Sequence, residues 1–362
     1  PSISPDGSMV AVLSDENGYF DIQILDVMTG KKIKKLVKGN RSIDFEELKW
    51  LQPGLSWSPD SKKIVLAAKA GKGDVLHVVD VESGKSEKYE IGIDAVFSAA
   101  WNPKKNEIAF IGQSGVSSDV YIFNLDDESI SKLTDDIFSD AYPSWNSEGT
   151  EIAFVSDRSN HVDGSIEGSI FNHDYSQTDI YTVNRITKKI RRITRTGYSE
   201  THPVWASTSN SLFYTADYNG VWNLFHHPMD DGLGLNNEFN NGYPITNVLT
   251  GLQQPTISSD DKTLIFAGYS GIGWDLYSIA NPLKLKEKFI EPTQFIIKDE
   301  SYRERDLISD LRKHKSVVKN DSNIKGDYSD WIFAKGYQNF NPAYDENEPS
   351  DEIISQDSTK VD

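Results

Sequence analysis

One stretch of the sequence, residues 157–178, holds the side chains best suited to chemistry. It contains His161, Asp163, Glu167 and His173, and imidazole and carboxylate groups are the usual ligands of zinc and calcium. Their spacing matches neither a helical zinc motif nor the compact alternation of a calcium loop. Polar residues in a long surface loop are usually solvated, so we expect neither a metal ion nor another cofactor.

Nucleophilic catalysis finds little support in the motifs. The elbow Gly-x-Ser-x-Gly does not occur, and the nearest matches, residues 112–116 and 268–272, lack the final glycine. The sequence has no cysteine, which excludes cysteine nucleophiles, thiolate metal sites and disulfides. Asp157 and Arg158 are interpreted as a turn with a local ion pair.

These residues lie within an internal repeat. A strand ending in Ile or Trp is followed six times by Ser-Pro-Asp-Gly or a decayed form of it, and later by an Asp or Asn that opens an aromatic or aliphatic strand. These two anchors are 17 or 18 residues apart in five units and 34 apart in the fourth. The anchor pairs are Ile3/Asp21, Trp57/Asp74, Trp101/Asp119, Trp145/Asp179, Trp205/Asn223 and Ile257/Asp275.

Each unit predicts four short strands, the last ending at a pair such as Leu133-Thr134 or Ile193-Thr194. A repeat of roughly 40–50 residues made of short strands and turns is typical of a β-propeller. We therefore predict an all-β fold, a six-bladed propeller with four-stranded blades. Units three to five have lost parts of the Pro-Asp-Gly turn, which leaves their turn geometry open. The predicted blades lie near residues 1–38, 54–91, 98–135, 142–195, 202–247 and 254–291.

The propeller is predicted to span residues 1–297, followed by a tail over 298–362. Within the tail, 299–319 has apolar residues at helical spacing, which predicts a short helix, and the acidic remainder predicts a disordered linker. Residues 287–291 are one candidate for the outer strand of blade six. The alternative is closure by a segment preceding the equivalent of Pro1, since the sequence opens in mid-repeat and is interpreted as part of a longer protein.

The innermost strands offer few groups that could act in a central channel, because only Glu200 and His202 lie near the expected position. We therefore expect the chain not to be an enzyme. The recurrent tryptophans keep a fixed place in their strands, so we assign them to the core between blades rather than to sugar binding. They are Trp57, Trp101, Trp145 and Trp205.

Charge and hydropathy limit the classes of partner. A net charge of −18 and a pI near 4.8 argue against nucleic acid or an anionic membrane as the ligand. No apolar run approaches the ~18 residues of a transmembrane helix, so we expect no direct insertion of this segment into a membrane.

Extended loops indicate which face of the ring is expected to bind a partner. Because propeller strands alternate in direction, loops from strand two to three and from strand four to the next blade share one face, here called the first face. The extensions at 39–53 and 157–178 fall on it, whereas 229–242 falls on the opposite face. Long loops on a rigid scaffold are frequent binding sites. The candidate partner-binding residues are Phe45, Trp50, His161, Asp163, Phe171, His173 and Tyr175.

The repeat resembles the TolB-like (WD40-like) propeller family, in which Trp-Ser-Pro-Asp-Gly, Ile-Ala-Phe-x-Ser-Asp-Arg, Asp-Ile-Tyr and Leu-Thr follow one another. The best copy combines Trp145–Arg158 with Asp179–Tyr181 and Ile193-Thr194, and the likeness covers about residues 1–291. The resemblance implies a protein of the bacterial envelope, periplasmic or associated with the outer membrane, whose propeller binds proteins rather than catalysing. Residues 39–48 and the tail also resemble a subgroup whose propeller lies between a metallopeptidase-like domain and an outer-membrane barrel.

The expected function is accordingly that of a non-enzymatic interaction or scaffold propeller with a protein partner of the cell envelope. The alternative is a propeller that gates, or presents substrates to, a peptidase domain outside this sequence.

Overall fold

Six antiparallel sheets surround a central channel, which confirms the predicted all-β, six-bladed propeller. The computed structural model describes residues 1–49, 54–165, 173–229, 242–271 and 273–298. Blade one meets blade six where the Ile3 N–H donates to the Thr256 hydroxyl at 3.1 Å, so the ring closes. Among the described residues, no helix combines the length and the apolar character needed to cross a lipid bilayer.

The strands of each blade follow chain order from the channel outward. Blades one and two contain β1 (Ser2–Ile3), β2 (Met9–Ser14), β3 (Asp21–Asp26) and β4 (Lys32–Lys38), then β5 (Glu47–Leu48), β6 (Ser56–Trp57), β7 (Lys63–Ala70), β8 (Gly73–Asp80) and β9 (Ser86–Glu90). Blades three and four contain β10 (Ala95–Trp101), β11 (Glu107–Ser114), β12 (Ser117–Asn124) and β13 (Ile130–Lys132), then β14 (Asp140–Trp145), β15 (Glu151–Ser156), β16 (Asp179–Asn184) and β17 (Ile190–Arg192). Blades five and six contain β18 (Glu200–Trp205), β19 (Ser211–Ala216), β20 (Asn223–Pro228) and β21 (Tyr243–Pro244), then β22 (Leu252–Ile257), β23 (Thr263–Ser270) and β24 (Gly273–Ala280).

The repeated Ser-Pro-Asp phrase forms a turn that side chains hold together. In blade two, Ser58 Oγ donates to Asp60 Oδ1 at 2.6 Å and accepts the Lys63 N–H at 2.9 Å. In blade four, the side chain of Asn146 takes the place of both the serine and the aspartate. Its Oδ1 accepts the Thr150 N–H at 2.9 Å and the Glu151 N–H at 3.1 Å. The turn between the first two strands therefore persists where the Pro-Asp-Gly sequence is lost.

The innermost strand of blades three to six is interrupted by a bulge. At each bulge one residue has a left-handed backbone with φ between 49° and 53°, a conformation that side chains other than glycine seldom adopt. These residues are Ser98, Tyr142, His202 and Gln254. Since unrelated side chains share one conformation at one position, the geometry of the ring imposes the bulge.

The Asp or Asn that opens the third strand of blades three, four and five ties its blade to the next connection. The N–H groups of Asp136, Thr196 and Val248 donate to Asp119, Asp179 and Asn223 at 3.4, 3.3 and 3.0 Å, respectively. Blade packing completes the joint, and the four recurrent tryptophans are at most 8% exposed, which confirms their assignment to the core. The fixed spacing of the anchors thus reflects contacts that recur between neighbouring blades.

The extension at 39–53 is only partly a loop, and its interpretation as one continuous loop is wrong. Glu47 and Leu48 pair with Lys69 and Ala68 of β7, so they begin the innermost strand of blade two. Residues 39–46 form the connection from blade one. Residues 50–53 lie outside the described residues.

The prediction of an outer strand at 287–291 for blade six is wrong. After β24, Asn281 takes a left-handed conformation and a short 3₁₀ helix, Pro282–Lys284, redirects the chain. The Lys288 N–H then donates to Pro244 O at 2.8 Å, so this segment runs along blade five. A five-residue helix, α1 (Gln294–Lys298), follows and buries Ile296 fully against blade five. The helix predicted over 299–319 and the acidic linker lie outside the described residues.

Candidate functional site

The structure brings three of the predicted residues together around one phenylalanine. The ring of Phe138 lies 5.4 Å from that of His161 and 5.2 Å from that of His173, whose imidazole lies 4.5 Å from Tyr175. Phe138 is fully buried in the connection from β13 to β14, and the other three belong to the β15–β16 loop. These four residues form the Phe138 cluster, and both connections lie on the first face. Sequence reasoning missed Phe138 because its short connection carries no repeat marker.

Hydrogen bonds to the backbone fix the cluster. His173 Nε2 lies 2.7 Å from Asp157 O, and His161 Nδ1 lies 3.0 Å from Ser165 O. Asp163 accepts the Ser165 hydroxyl at 2.6 Å, and this bond lowers the pKa of its carboxyl. These hydrogen bonds of His161, Asp163 and His173 therefore hold the described parts of the loop in shape. Among the described residues, no three histidine or acidic side chains are placed to share a metal ion, and Glu167 lies outside them.

Arg158 is fully buried and connects the two segments that carry the Phe138 cluster. Its Nη2 lies 2.6 Å from Asp140 Oδ1, its Nη1 lies 3.0 Å from Asp136 Oδ2, and its Nε donates to Ser156 Oγ at 3.0 Å. Burial raises the pKa of Asp140 to about 6, an effect that the nearby guanidinium only partly offsets. The ion pairs of Arg158 thus join two connections that are distant in sequence, and the predicted local pair with Asp157 is wrong.

Phe45 occupies another part of the first face. Its ring centroid lies 4.3 Å from that of His77, a buried residue on β8, and it packs against the core residue Leu48. It therefore contributes to the stability of blade two as well as to its surface. The candidates Trp50 and Phe171 lie outside the described residues.

Exposed apolar side chains are distributed unevenly between the two faces. Among the described loops that join one strand to the next, six large ones lie on the first face and two on the opposite face. The six are Tyr19, Ile43, Val116, Ile137, Tyr175 and Leu249, and the two are Met28 and Ile186. Exposed apolar surface marks sites of protein contact where it forms a contiguous patch. No sequence signal identified this asymmetry, since single apolar residues in turns carry no pattern.

The central channel has a volume of about 1360 Å³. Tyr142 and His202 meet in it, with ring centroids 4.0 Å apart. Burial lowers the pKa of His202 to about 3, so the imidazole is neutral at pH 7. The buried Glu200 accepts the hydroxyl of Thr196 at 2.7 Å, and burial raises its pKa. Glu200 is therefore hydrogen-bonded to the connection from blade four, whereas His202 packs against Tyr142 and its buried Nδ1 has no hydrogen-bond partner among the described residues.

Comparison with known proteins identifies a family model and solved structures that are similar to this chain. A family model described as the TolB beta propeller domain (PD40) matches residues 49–163. No curated protein matches the sequence. The structure of TolB from Acinetobacter baumannii is similar with a TM-score of 0.55 and 15% identity, over 76% of this chain and 61% of that one. The chain thus spans less than two thirds of that relative.

A TolB candidate from Agrobacterium tumefaciens is similar with a TM-score of 0.56 and 14% identity, over 76% of this chain and 87% of that one. At these identities the likeness concerns the fold. Residues 49–163 match the family model of the TolB beta propeller domain, and the ring that contains them has the fold of a TolB-like β-propeller.

Proposed function

We propose that this propeller is a non-enzymatic interaction module of a bacterial cell-envelope protein and that it binds a protein partner on its first face. The uneven distribution of exposed apolar side chains carries the proposal. Val116 and Leu249 are 97% and 89% exposed at two separate loops, and Tyr175 is half exposed at the rim of the Phe138 cluster. Tyrosine is enriched among the few residues that supply most of the binding energy in protein interfaces, so Tyr175 is the strongest candidate anchor.

The rigidity of the first face supports the same role. Hydrogen bonds to the backbone and the buried ion pairs of Arg158 hold the Phe138 cluster, so its shape is fixed before a partner binds. A preorganised surface loses little conformational entropy on binding. The net charge of −18 favours a partner with a basic or apolar contact surface. The location in the envelope, periplasmic or at the outer membrane, rests on the resemblance of the repeat to the TolB-like family.

Capture from an envelope extract tests the proposal with two matched variants. One carries Val116→Ser, Tyr175→Ser and Leu249→Ser on the first face, and the control carries Met28→Ser and Ile186→Ser on the opposite face. Val116, Leu249, Met28 and Ile186 are at least 76% exposed, so each of these substitutions changes the free energy of unfolding by less than about 0.5 kcal/mol. Tyr175 is half exposed and contacts His173, so a urea titration checks that its substitution leaves the fold intact. We expect the parent and the control to retain a partner that the first-face variant loses.

Equal capture by all three forms would place the contact elsewhere on the ring. If none of the three forms captures a partner, the result contradicts a propeller that binds its partner on its own. It then favours the alternative, a propeller that gates, or presents substrates to, a peptidase domain outside this sequence.

A further inference from the structure

Three of the exposed apolar side chains on the first face belong to blades three and four. Val116, Ile137 and Tyr175 are 97%, 44% and 50% exposed, respectively. Val116 lies at the tip of the β11–β12 hairpin, Ile137 in the connection from β13 to β14, and Tyr175 in the β15–β16 loop. They come from three separate segments that meet where the two blades join.

The β11–β12 hairpin lies beside the connection from β13 to β14. Ser118 and Ser139 form a parallel β-bridge, and the Ser118 hydroxyl donates to Asp140 O at 3.1 Å. Because Val116 and Ile137 each precede their bridge residue by two positions, they lie at the same end of the two paired segments. These two apolar side chains therefore belong to neighbouring segments of the first face.

The β15–β16 loop packs against the same connection. Phe138 directly follows Ile137, and its ring lies 5.2 Å from that of His173. The His173 ring in turn lies 4.5 Å from that of Tyr175. Val116, Ile137 and Tyr175 therefore form one group, here called the Val116 patch.

An exposed carboxylate accompanies each member of the Val116 patch. Asp94 Oδ2 accepts the Gly115 N–H at 3.0 Å, next to the hairpin tip. The side chain of Asp135 is 84% exposed, and it lies in the connection that carries the isoleucine. Asp174 is exposed and directly precedes the tyrosine. Asp94, Asp135 and Asp174 are here called the acidic rim.

Cations of the chain offset little of this negative charge. The segments around the patch are 91–94, 115–116, 133–139, 157–165 and 173–178, and among these described residues Arg158 supplies the only lysine or arginine side chain, which is buried. Lys132 lies 2.5 Å from Asp135 and 2.9 Å from Asp119, so one ammonium group serves two carboxylates. An apolar centre with a charged rim is the usual composition of a protein contact site.

We propose that the Val116 patch is the contact site of the first face and that it binds a protein segment whose apolar side chains are flanked by lysine or arginine. This inference rests on the proposed function, because it names the chemistry of the partner. Apolar contact removes Val116 and Ile137 from water. The acidic rim attracts the flanking cations and repels acidic segments, which gives the site its selectivity. The half-exposed ring of Tyr175 offers a face to one of these cations.

Methyl NMR on the full chain tests the proposal with the peptide Lys-Lys-Leu-Trp-Leu-Lys-Lys. We expect saturable shifts of the Val116 and Ile137 methyl signals and no shift of the Leu249 methyl signals, which report a distant part of the same face. The affinity should fall roughly tenfold as salt rises from about 0.02 to 0.2 M, because salt screens the rim. One control peptide replaces the three apolar residues with serine, and another replaces the lysines with glutamate. Neither control should saturate.

Two matched variants of the protein separate the rim from net charge. One neutralises the acidic rim, and the other removes three charges from an exposed turn on the opposite face of blade three. The substitutions are Asp94→Asn, Asp135→Asn and Asp174→Asn in the first, and Asp126→Asn, Asp127→Asn and Glu128→Gln in the second. We expect the rim variant to bind the peptide roughly tenfold more weakly and the control variant to bind it like the parent. Urea titrations establish that both variants fold.

No saturable binding, equal shifts at Leu249, or equal affinities of the rim and control variants would each overturn the inference. A partner captured from the envelope extract extends the test. If the first-face variant loses that partner but the rim variant retains it, the proposed function stands and the basic–apolar segment is wrong. If the first-face variant retains the partner, the proposed function itself is contradicted.

Discussion

Arg158 Nη2 lies 2.6 Å from Asp140 Oδ1, and both side chains are completely shielded from solvent. Asp140 begins the innermost strand of blade four, whereas Arg158 follows its second strand, so the pair fixes the two connections that carry the Phe138 cluster. Two charges removed from water in this way are costly unless each satisfies the other. The arrangement makes the shape of the Phe138 cluster dependent on one guanidinium group.

Replacing Arg158 should destabilise the propeller strongly. Arg158→Met leaves Asp140 and Asp136 without their cation, and we expect the free energy of unfolding to fall by about 3–5 kcal/mol in urea titrations. Arg191→Met is the matched control, because Arg191 is 58% exposed at its side chain and lies 3.7 Å from Glu151. Its loss should cost under about 1 kcal/mol. Similar losses for the two variants would contradict the structural role assigned to Arg158.

The carboxyl of Asp140 should titrate well above its ordinary range. Burial raises its pKa from 3.8 to about 6. The folded state therefore holds this proton more tightly than the unfolded chain, and the contribution of Asp140 to stability falls as pH rises from about 4 to 6. The total change is on the order of 3 kcal/mol. Side-chain carbon NMR gives the midpoint directly, and a value near 4 would show that Arg158 outweighs the burial.

Two glycines with the same backbone conformation allow the free-energy cost of a strained backbone to be measured separately from the cost of a steric clash. Gly149 and Gly30 both have φ of +66°, but a Cβ at Gly149 would lie 2.3 Å from Asn102 Oδ1, whereas none lies within 4 Å at Gly30. Gly30→Ala should cost about 1–2 kcal/mol through the left-handed backbone alone. Gly149→Ala should cost about 1–3 kcal/mol more, because the buried Asn102 must move. Equal melting temperatures for the two variants would contradict the close approach between blades three and four.

The architecture could be predicted from the sequence because the recurrent anchor residues make the same contacts in several blades. Asp119 and Asp179 hold the next connection through the same hydrogen bond, so their spacing reports the blade repeat directly. The assignment of residues 287–291 failed because spacing alone supported it. Pro282 opens a 3₁₀ helix that turns the chain away, and no Leu-Thr pair follows to satisfy the edge of β24.

The candidate site was only partly predictable. His161, His173 and Tyr175 stand out in the sequence because they lie in a long loop, but their common partner Phe138 comes from a short connection in another part of the chain. Arg158 showed the same limitation, since its partners Asp136 and Asp140 precede it by 22 and 18 residues. Contacts between loops of neighbouring blades depend on the ring and leave no local pattern.

Hydrogen exchange on the complex with the captured partner tests the proposed first-face contact most directly. The proposal predicts slower exchange in the first-face loops around Val116, Tyr175 and Leu249, with no change in the opposite turns around Met28 and Ile186. Protection confined to the opposite turns, or to the outer strands of the blades, would contradict a binding site on the first face.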